Sequence, residues 1–352
     1  MTCVYTTPTG LCPGTDPLSK REHYLSRALG NFRGDERLVN KICDGCQRRF
    51  RDLEDVLAHN SPEAFFREMV GQIGRRNHAK KNIFYEPTMG LAPLSVIARS
   101  PGNDFDMLWE PIDQTHCRPM SQFVFIRKDG SSAQMPFRLG KDSLETARLF
   151  MKRNNCEKPA SVAGTWNSPE ECGPMNAVID ALSPKGTDGT LAPLKDGVGI
   201  EAEMKSFISE KYVRAIAKIG FHFFLKFFPR FTGMEPEFDD VKRFIYLGSA
   251  SREIVRRVPQ TFAIEFQRGA RPKNWCHLLS AQCDDRGIEA RMQFFAGPAV
   301  NPIVWSVLIG KNPSRIIYTE NAGYGYLFFK TMENGFHGKR LELKAIRNVL
   351  YR

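Results

Sequence analysis

The chain has 352 residues, which at roughly 150 residues per domain predicts about two domains. Hydrophobic residues make up 42% and charged residues 25% of the chain, and these fractions exclude a largely disordered chain and a fibrous repeat. A net charge of +11, together with the lack of about 18 consecutive apolar residues, favours a polyanion such as nucleic acid as the partner and argues against a membrane protein.

The beginning of the chain, MTCVYTTPTGLCPGTDP, lacks the basic and apolar regions of a secretory signal, so the sequence predicts a cytoplasmic protein. The chain contains nine cysteines, an odd number, and four of them lie within its first 46 residues. In a reducing compartment such a group favours a metal site over disulfides.

The four N-terminal cysteines are a set of ligands typical of a structural zinc site. The Cys43-Asp-Gly-Cys46 spacing brings two thiolates from one tight turn to adjacent corners of a tetrahedral zinc ion. Cys3 and Cys12 lie farther apart, and a longer loop between them would supply the other two corners. The sequence therefore predicts a structural zinc held by Cys3, Cys12, Cys43 and Cys46. The alternatives are that two of these thiols are buried and inert, or that another group completes the site.

A helix and a basic linker follow the cysteines. Ser61 is a capping residue, Pro62 fits a first helical turn, and apolar residues recur at helical spacing from residue 65 to residue 73. The basic, polar segment RRNHAKK at 75–81 then ends this first unit. We therefore expect two domains, at 1–81 and 82–352.

The first half of the second domain mixes strand and loop signals. FDMLWEPI and SQFVFIRKDGSSAQMPFRL predict strands, the latter a hairpin that turns at Lys128-Asp129-Gly130. Residues 153–198 are rich in Lys, Asn, Pro, Gly, Ser and Thr, so they predict a loop-rich surface excursion.

Residues 201–231 show the longest helical pattern, which Pro229 and Thr232-Gly233 end. The apolar run AIAKIGFHFFLKFF within it is too short to cross a membrane, and it favours a core helix over a membrane-surface helix. After a short helix at DDVKRFIYLG, strands separated by turns are predicted at HLLSAQ, IEARMQFFA, NPIVWSVLIG, SRIIYT and YGYLFFKT. The predicted fold class is α+β, with an antiparallel sheet and a long core helix.

A short series of polar and apolar residues stands between and after the cysteine pairs. In chain order these are Glu22-His23, Leu29-Gly30, the pair Cys43 and Cys46, Gln47, and Asp55. This order resembles the HNH endonucleases, in particular the zinc-stabilised branch of that family. The resemblance covers roughly residues 1–75 and implies a zinc-stabilised ββα-metal domain at the head of the chain.

The resemblance implies a role for each polar residue of the series. His23 would be the general base that takes a proton from water, because an imidazole titrates near neutrality. Glu22 would ligate a catalytic divalent cation, Mg²⁺ or Mn²⁺, whereas the zinc only supports the fold. Gln47 stands where the family has Asn or His, and it would offer its amide oxygen to that cation. Asp55 would supplement the site; without the resemblance it is a surface carboxylate.

Basic residues surround this series. Between residues 20 and 51 there are nine Lys or Arg and four Asp or Glu, an excess that can hold a phosphate backbone without reading bases. A charge run by itself is typical of a solvated face, but this one coincides with the series. The residues expected to bind nucleic acid are Lys20, Arg21, Arg27, Arg48, Arg49 and Arg51.

The sequence thus predicts a metal-dependent endonuclease that hydrolyses DNA phosphodiester bonds, by analogy in phage defence or in a mobile element. The alternative from a different class is a non-catalytic, zinc-containing nucleic-acid-binding protein in which Gln47 marks a degenerate site. RNA stays open as the substrate, since charge does not distinguish it from DNA. The larger domain is expected to select the substrate, bind a protein partner, regulate the activity or form a homo-oligomer, and no membrane partner is expected.

Overall fold

The computed structural model describes residues 2–6, 10–19, 22–26, 29–33, 37–59, 61–69, 95–99, 105–112, 116–140, 143–183, 202–205, 208–250, 252–259, 275–296, 303–311, 320–331 and 335–342. The α-helices in these ranges are α1 Asp44–His59, α2 Pro62–Met69, α3 Leu144–Arg153, α4 Pro169–Leu182, α5 Glu210–Phe227 and α6 Asp239–Leu247. The strands are β1 Glu22–His23, β2 Asn31–Arg33, β3 Arg37–Leu38, β4 Ser95–Arg99, β5 Asp106–Pro111, β6 Cys117–Pro119, β7 Gln122–Ile126, β8 Ser132–Pro136, β9 Ser161–Thr165, β10 Ala202–Lys205, β11 Val255–Val258, β12 Cys276–Asp284, β13 Gly287–Ala296, β14 Val304–Gly310, β15 Glu320–Thr331 and β16 Gly335–Glu342.

The chain divides into two compact units, and the larger one is built from both ends of the sequence. One unit contains residues 1–79 and 208–352, and the other contains residues 80–207. This grouping differs from the predicted domains at 1–81 and 82–352. The physical reason is that α5 packs against α1, so the N-terminal segment shares its core with the C-terminal region.

The larger unit contains a seven-stranded sheet in the order β11-β14-β13-β12-β15-β16-β2. Neighbouring strands run antiparallel except for β16 and β2, which are parallel. Because β2 comes from the N-terminal segment, residues 31–33 complete one edge of the C-terminal sheet. The α+β class and the antiparallel sheet predicted from the sequence are confirmed.

The α5 helix lies against this sheet and contacts β12, β13 and β14. Gly220 permits the close approach, since a Cβ atom at this position would lie 3.0 Å from Met292 Cε and from Val307 Cγ2. No helix in the described ranges, α5 included, combines the length and the apolar character needed to cross a membrane. The apolar run of α5 is buried in the protein core instead.

The bounds of α5 differ from the predicted helix at 201–231. Residues 202–205 form β10, which pairs antiparallel with β4. Ser209 then caps the helix, because its side chain accepts a hydrogen bond from the backbone N–H of Tyr212. At the other end Phe228 is the C-cap residue, directly before Pro229.

The smaller unit contains a four-stranded sheet in the order β10-β4-β5-β6 and a three-stranded sheet in the order β8-β7-β9. The predicted hairpin is present: β7 and β8 pair antiparallel, and Gly130 has a φ of 81° in the turn between them. The core of this unit packs Phe123 and Phe125 of β7 with Met151 of α3 and Met175 of α4.

The loop-rich excursion predicted at 153–198 contains regular structure. Residues 161–165 form β9, which pairs with β7, and residues 169–182 form α4. The Glu171 side chain accepts a hydrogen bond from the backbone N–H of Ser168, as in a capping box, and Pro169 occupies the first helical position. The Ser and Pro that suggest a loop therefore begin a helix, while residues 184–200 lie outside the described ranges.

Gln122 joins the two sheets of the smaller unit. Its buried side chain accepts a hydrogen bond of 2.8 Å from Leu108 N and donates to the carbonyl oxygens of Leu108 and Met120 at 2.9 and 3.1 Å. We expect Gln122→Leu to lower the free energy of unfolding by about 1–3 kcal/mol, because the buried Leu108 N–H loses its acceptor. Denaturant unfolding and amide hydrogen exchange measure the change, and unaltered exchange at Leu108 would contradict this role.

Candidate functional site

The four N-terminal cysteines meet at the start of α1. Cys43 directly precedes this helix and Cys46 lies in its first turn, while Cys3 and Cys12 come from the segments before it. The four Sγ atoms lie within 4.8 Å of one another, and all four side chains are buried. The Sγ atoms of Cys3 and Cys46 are 3.8 Å apart, and those of Cys12 and Cys43 are 3.5 Å apart.

This donor set fits a structural zinc. A tetrahedral ion with Zn–S bonds of about 2.3 Å places its sulfur ligands about 3.8 Å apart, close to the separations in the cluster. Backbone N–H groups also point at the sulfurs: Cys43 N donates to Cys3 Sγ and Gly14 N donates to Cys12 Sγ, each at 3.4 Å. Because four thiolates close the coordination sphere, zinc here would support the fold and would leave no open position for catalysis.

Hydrogen bonding already favours a thiolate within the cluster. The hydrogen bond from Cys46 lowers the pKa of Cys3 to about 5, against burial, which raises it. The same hydrogen bond raises the pKa of Cys46, and burial adds to that effect. Zinc binding requires deprotonated sulfurs, so a bound zinc ion would replace the proton in the hydrogen bond between Cys46 and Cys3.

A pair of short strands precedes the helix that carries Cys46. The strands β1 and β3 pair antiparallel, with Glu22 opposite Leu38 and His23 opposite Arg37. Because consecutive side chains of a strand point to opposite faces, Glu22 is buried whereas His23 is half-buried. In chain order β1, β2 and β3 precede α1: β1 and β3 pair with each other, β2 joins the seven-stranded sheet, and the cysteine cluster lies at the start of α1.

The Glu22 carboxylate contacts a buried lysine of α5. Lys218 Nζ lies 2.5 Å from Glu22 Oε1 and 2.5 Å from Glu54 Oε1, and the lysine side chain is 2% exposed. Burial lowers the pKa of Lys218, but the two carboxylates outweigh burial and hold the pKa above its ordinary value. The ammonium therefore stays charged, and it binds one residue from β1 and one from α1.

His222 and Tyr5 connect this ion pair to the cysteine loop. His222 follows Lys218 by one helical turn, and its Nδ1 lies 3.8 Å from Glu22 Oε1. Its Nε2 shares a hydrogen bond of 2.8 Å with the hydroxyl of Tyr5, two residues after Cys3. Burial, and then the charge of Lys218, lower the pKa of His222 well below its ordinary value, so the imidazole is neutral. We refer to Tyr5, Glu22, Glu54, Lys218 and His222 as the Lys218 cluster.

The structure shows other contacts, or exposure to solvent, for each predicted ligand of a catalytic cation. Glu22 is held by Lys218, Asp55 is exposed, and the amide nitrogen of Gln47 donates to Ile42 O at 3.2 Å. Within the described ranges, the four cysteines are the only group of three or more Cys, His, Asp or Glu side chains close enough to hold a metal ion. A site for Mg²⁺ or Mn²⁺ needs several oxygen ligands around one ion, and the assignment of Glu22, Gln47 and Asp55 to such a site stays a prediction.

The predicted nucleic-acid-binding residues are described in part, and those outside the described residues are Lys20, Arg21 and Arg27. On α1, Arg48 pairs with Asp16 at 3.0 Å. The guanidinium of Arg49 lies 4.2 Å from the centroid of the Tyr246 ring and donates to the carbonyl oxygen of the same residue. Arg48, Arg49 and Arg51 are all exposed, so they can contact a polyanion from one helix.

Two C-terminal residues anchor the backbone around β1 and β3. His277 is fully buried, and its Nδ1 accepts a hydrogen bond of 3.0 Å from Phe295 N. Its Nε2–H therefore donates to Leu29 O, at 2.8 Å. Lys226 Nζ donates to Arg37 O at 3.1 Å. Leu29, between the two strands, is thus fixed to the seven-stranded sheet, and β3 is fixed to α5.

Sequence reasoning did not identify the Lys218 cluster or His277. One signal exists for α5, because Lys218 and His222 are polar residues one turn apart inside the apolar run AIAKIGFHFF. A buried charge in such a run needs a partner of opposite charge. That partner is not local, since Glu54 lies 164 residues from Lys218 in the sequence. The pattern therefore predicts that a partner exists without predicting which residue it is.

Known proteins add no assignment to these residues. Comparisons of the chain with protein-family models, with curated proteins and with solved structures found no match. The assignment of function therefore depends on the side chains themselves, chiefly the four cysteines, His23 and the Lys218 cluster.

We expect the purified protein to contain one zinc ion per chain and Cys46→Ser to lose it. Loss of the ion should lower the free energy of unfolding by about 3 kcal/mol or more, because metal-binding free energy contributes to folding. Cys172→Ser, at a half-exposed thiol of α4, is the control and should keep both zinc and stability. Elemental analysis and thermal unfolding measure the two effects. A wild type without zinc, or full zinc content in Cys46→Ser, would contradict the site.

His277 should make folding stability depend on pH. Burial lowers the pKa of His277 to about 3, although the hydrogen bond to Leu29 opposes this effect. The unfolded chain binds a proton at pH values below about 6.5 and the folded chain does not, so stability falls as the pH decreases from 6.5 towards 3. Between pH 6 and pH 5, the wild type should lose about 1.2 kcal/mol more than His277→Gln. Denaturant unfolding at the two pH values measures the difference, and equal losses would refute it.

Proposed function

We propose that the chain is an endonuclease of the HNH type that hydrolyses DNA phosphodiester bonds, with His23 as its general base. The observation that carries the proposal is the position of His23 on β1, which pairs with β3 ahead of the helix that bears Cys46. Two strands and a helix built on a four-cysteine cluster are the arrangement that the resemblance of residues 1–75 implies.

His23 has the chemistry of a general base. Its side chain is half-buried, so it can meet water, and a neutral imidazole takes up a proton from water near neutral pH. The water oxygen then bonds to phosphorus, the bond from phosphorus to the 3′ oxygen breaks, and the 3′ oxygen takes up a proton from solvent. His23 releases its own proton to solvent and is again neutral. The products are a 5′-phosphate and a 3′-hydroxyl.

A divalent cation such as Mg²⁺ or Mn²⁺ supplies charge stabilisation in phosphodiester hydrolysis. Glu22 is not arranged to bind one, because its carboxylate contacts Lys218. We therefore assign no step to a protein-bound cation. What the chain itself contributes is the proton transfer at His23 and the orientation of the strand that carries it.

The charge of the chain supports nucleic acid as the substrate. The net charge is +11, and Arg48, Arg49 and Arg51 are exposed on the helix that begins at the cysteine cluster. Lysine and arginine side chains bind the phosphate backbone without reading bases, so this surface favours cleavage with little sequence choice. The same contacts would hold RNA, which is the second substrate to test.

A second candidate function is a non-catalytic zinc-containing module that binds nucleic acid. Two observations favour it: Lys218 already neutralises Glu22, and the Gln47 amide nitrogen is bonded to Ile42 O. A site whose polar groups bind one another has fewer groups left to bind a substrate phosphate. Under this alternative the basic helix would grip nucleic acid and His23 would have no chemical role.

Cleavage of supercoiled plasmid distinguishes the two functions. We expect the wild type to nick plasmid in Mg²⁺ or Mn²⁺ and His23→Ala to nick it about 100-fold more slowly, because general-base catalysis contributes roughly that factor or more. His116→Ala, which removes an exposed histidine of the smaller unit, is the matched control and should nick at the wild-type rate. Binding of the same plasmid by all three proteins is measured in parallel, with EDTA as the metal-free arm.

Two outcomes would overturn the nuclease proposal. Equal nicking by the wild type and His23→Ala would remove His23 from the reaction. No nicking in any metal, with binding that weakens as salt rises, would favour the non-catalytic module. A structured RNA tested beside the plasmid decides between the two nucleic acids.

A further inference from the structure

Lys218 lies in an environment that resembles a cation-binding site. Its Nζ is 2.5 Å from one oxygen of Glu22 and 2.5 Å from one oxygen of Glu54, and its side chain is 2% exposed. The centroid of the Phe50 ring lies 5.8 Å from the same ammonium. A cation bound by two carboxylates and an aromatic face is enclosed by protein, unlike the cation of a surface ion pair.

His222 lies beside this environment. The histidine is fully buried, and its Nδ1 lies 3.8 Å from Glu22 Oε1 with no hydrogen-bond partner among the described residues. Tyr5 fixes the opposite side of the ring through Nε2. The imidazole thus lies beside the Glu22 carboxylate without a hydrogen bond to it. The two carboxylates that contact Lys218 are oxygen donors of the kind that bind divalent cations such as Mn²⁺.

We propose that Lys218 is the resident cation of the candidate site: its ammonium holds Glu22 and Glu54 and takes the place in which a divalent cation would bind them. The chain itself supplies the positive charge, so these carboxylates do not recruit an ion from solution. This inference deepens the proposed function, and it rests on that function only for the reaction of His23.

Lys218 is then a positioning residue for His23. It is buried and does not reach a substrate, but it holds Glu22, the neighbour of His23 on β1. The same helix holds the partner strand through the hydrogen bond from Lys226 to Arg37 O, opposite His23. The C-terminal region therefore completes a site whose sequence motif lies entirely in the N-terminal segment.

Binding of Mn²⁺ to the zinc-loaded full-length chain tests the proposal without any need for cleavage. We expect Lys218→Ala, which removes the ammonium and leaves room between two carboxylates, to bind one Mn²⁺ per chain roughly tenfold or more tightly than the wild type. Adding Glu22→Gln to this variant should abolish the gain. Lys211→Ala is the matched control, because Lys211 is an exposed lysine of α5 that pairs with Asp52 of α1.

Electron paramagnetic resonance of free Mn²⁺ gives the affinities, and circular dichroism with zinc analysis confirms folding. Mn²⁺ binding by the wild type that Glu22→Gln removes would overturn the proposal, since Glu22 would then bind a metal in the presence of Lys218. Unchanged Mn²⁺ binding in a folded Lys218→Ala would overturn it as well.

A second comparison decides the matter if Lys218→Ala does not fold. Glu22→Gln keeps the shape of the side chain and an oxygen for the ammonium, so it can be compared directly with the wild type. Equal, weak Mn²⁺ binding by these two proteins supports Lys218 as the resident cation, and weaker binding by Glu22→Gln refutes it.

The positioning role has its own readout in plasmid cleavage. Lys218→Ala should lower kcat while leaving the KM for plasmid unchanged, and Lys218→Arg, which keeps the charge, should restore kcat at least in part. Equal kcat values for Lys218→Ala and the wild type would remove the positioning role. A wild type that nicks no plasmid would end the nuclease proposal and leave the Mn²⁺ result to stand on its own.

Discussion

The ion pair between Lys218 and its two carboxylates is the constraint on which the larger unit depends. Removing a charge from water costs several kcal/mol, and a buried ion recovers that cost only when its partners are in place. Lys218 obtains one partner from β1 and one from α1. The strand, the first helix and α5 must therefore assemble together, which explains why the two ends of the sequence form one compact unit.

Three kinds of interaction hold the segment around His23, and they differ in range. The cysteine cluster joins residues 3 and 12 to the start of α1 through ligands suited to zinc. The Lys218 cluster acts through charge, and the hydrogen bond from His277 to Leu29 O joins the following loop to the sheet. Tyr5 lies between the first two, since it follows Cys3 by two residues and bonds His222. Removing the cysteine cluster should therefore also weaken the Lys218 cluster, because Tyr5 connects the two.

Local chemistry could be predicted from the sequence, and distant pairing could not. The Cys43 to Cys46 spacing fixes two ligands on one turn, so the cysteine cluster was predictable, as was the hairpin at Gly130. The start of α5 was misplaced because residues 202–205 become a strand only by pairing with β4. The division of the chain into compact units likewise depends on the packing of α5 against α1. The composition of the segment at 75–81, from which the domain boundary was predicted, gives no information on that contact.

The Lys218 cluster shows that polar residues in an apolar helical segment indicate a partner elsewhere in the fold. Lysine in the middle of a buried helical run is costly unless it is paired, and histidine one turn later marks the same face. The buried lysine requires a carboxylate partner from elsewhere in the fold. An acidic residue next to His23 can supply that carboxylate. Glu22 meets that description, so its place next to His23 couples the motif to the helix. A residue such as Glu22 can thus be expected to bind a metal ion because of a resemblance, and yet form an ion pair with a lysine that is distant in the sequence. Polar residues within the core helix are the sequence signal that such an ion pair exists.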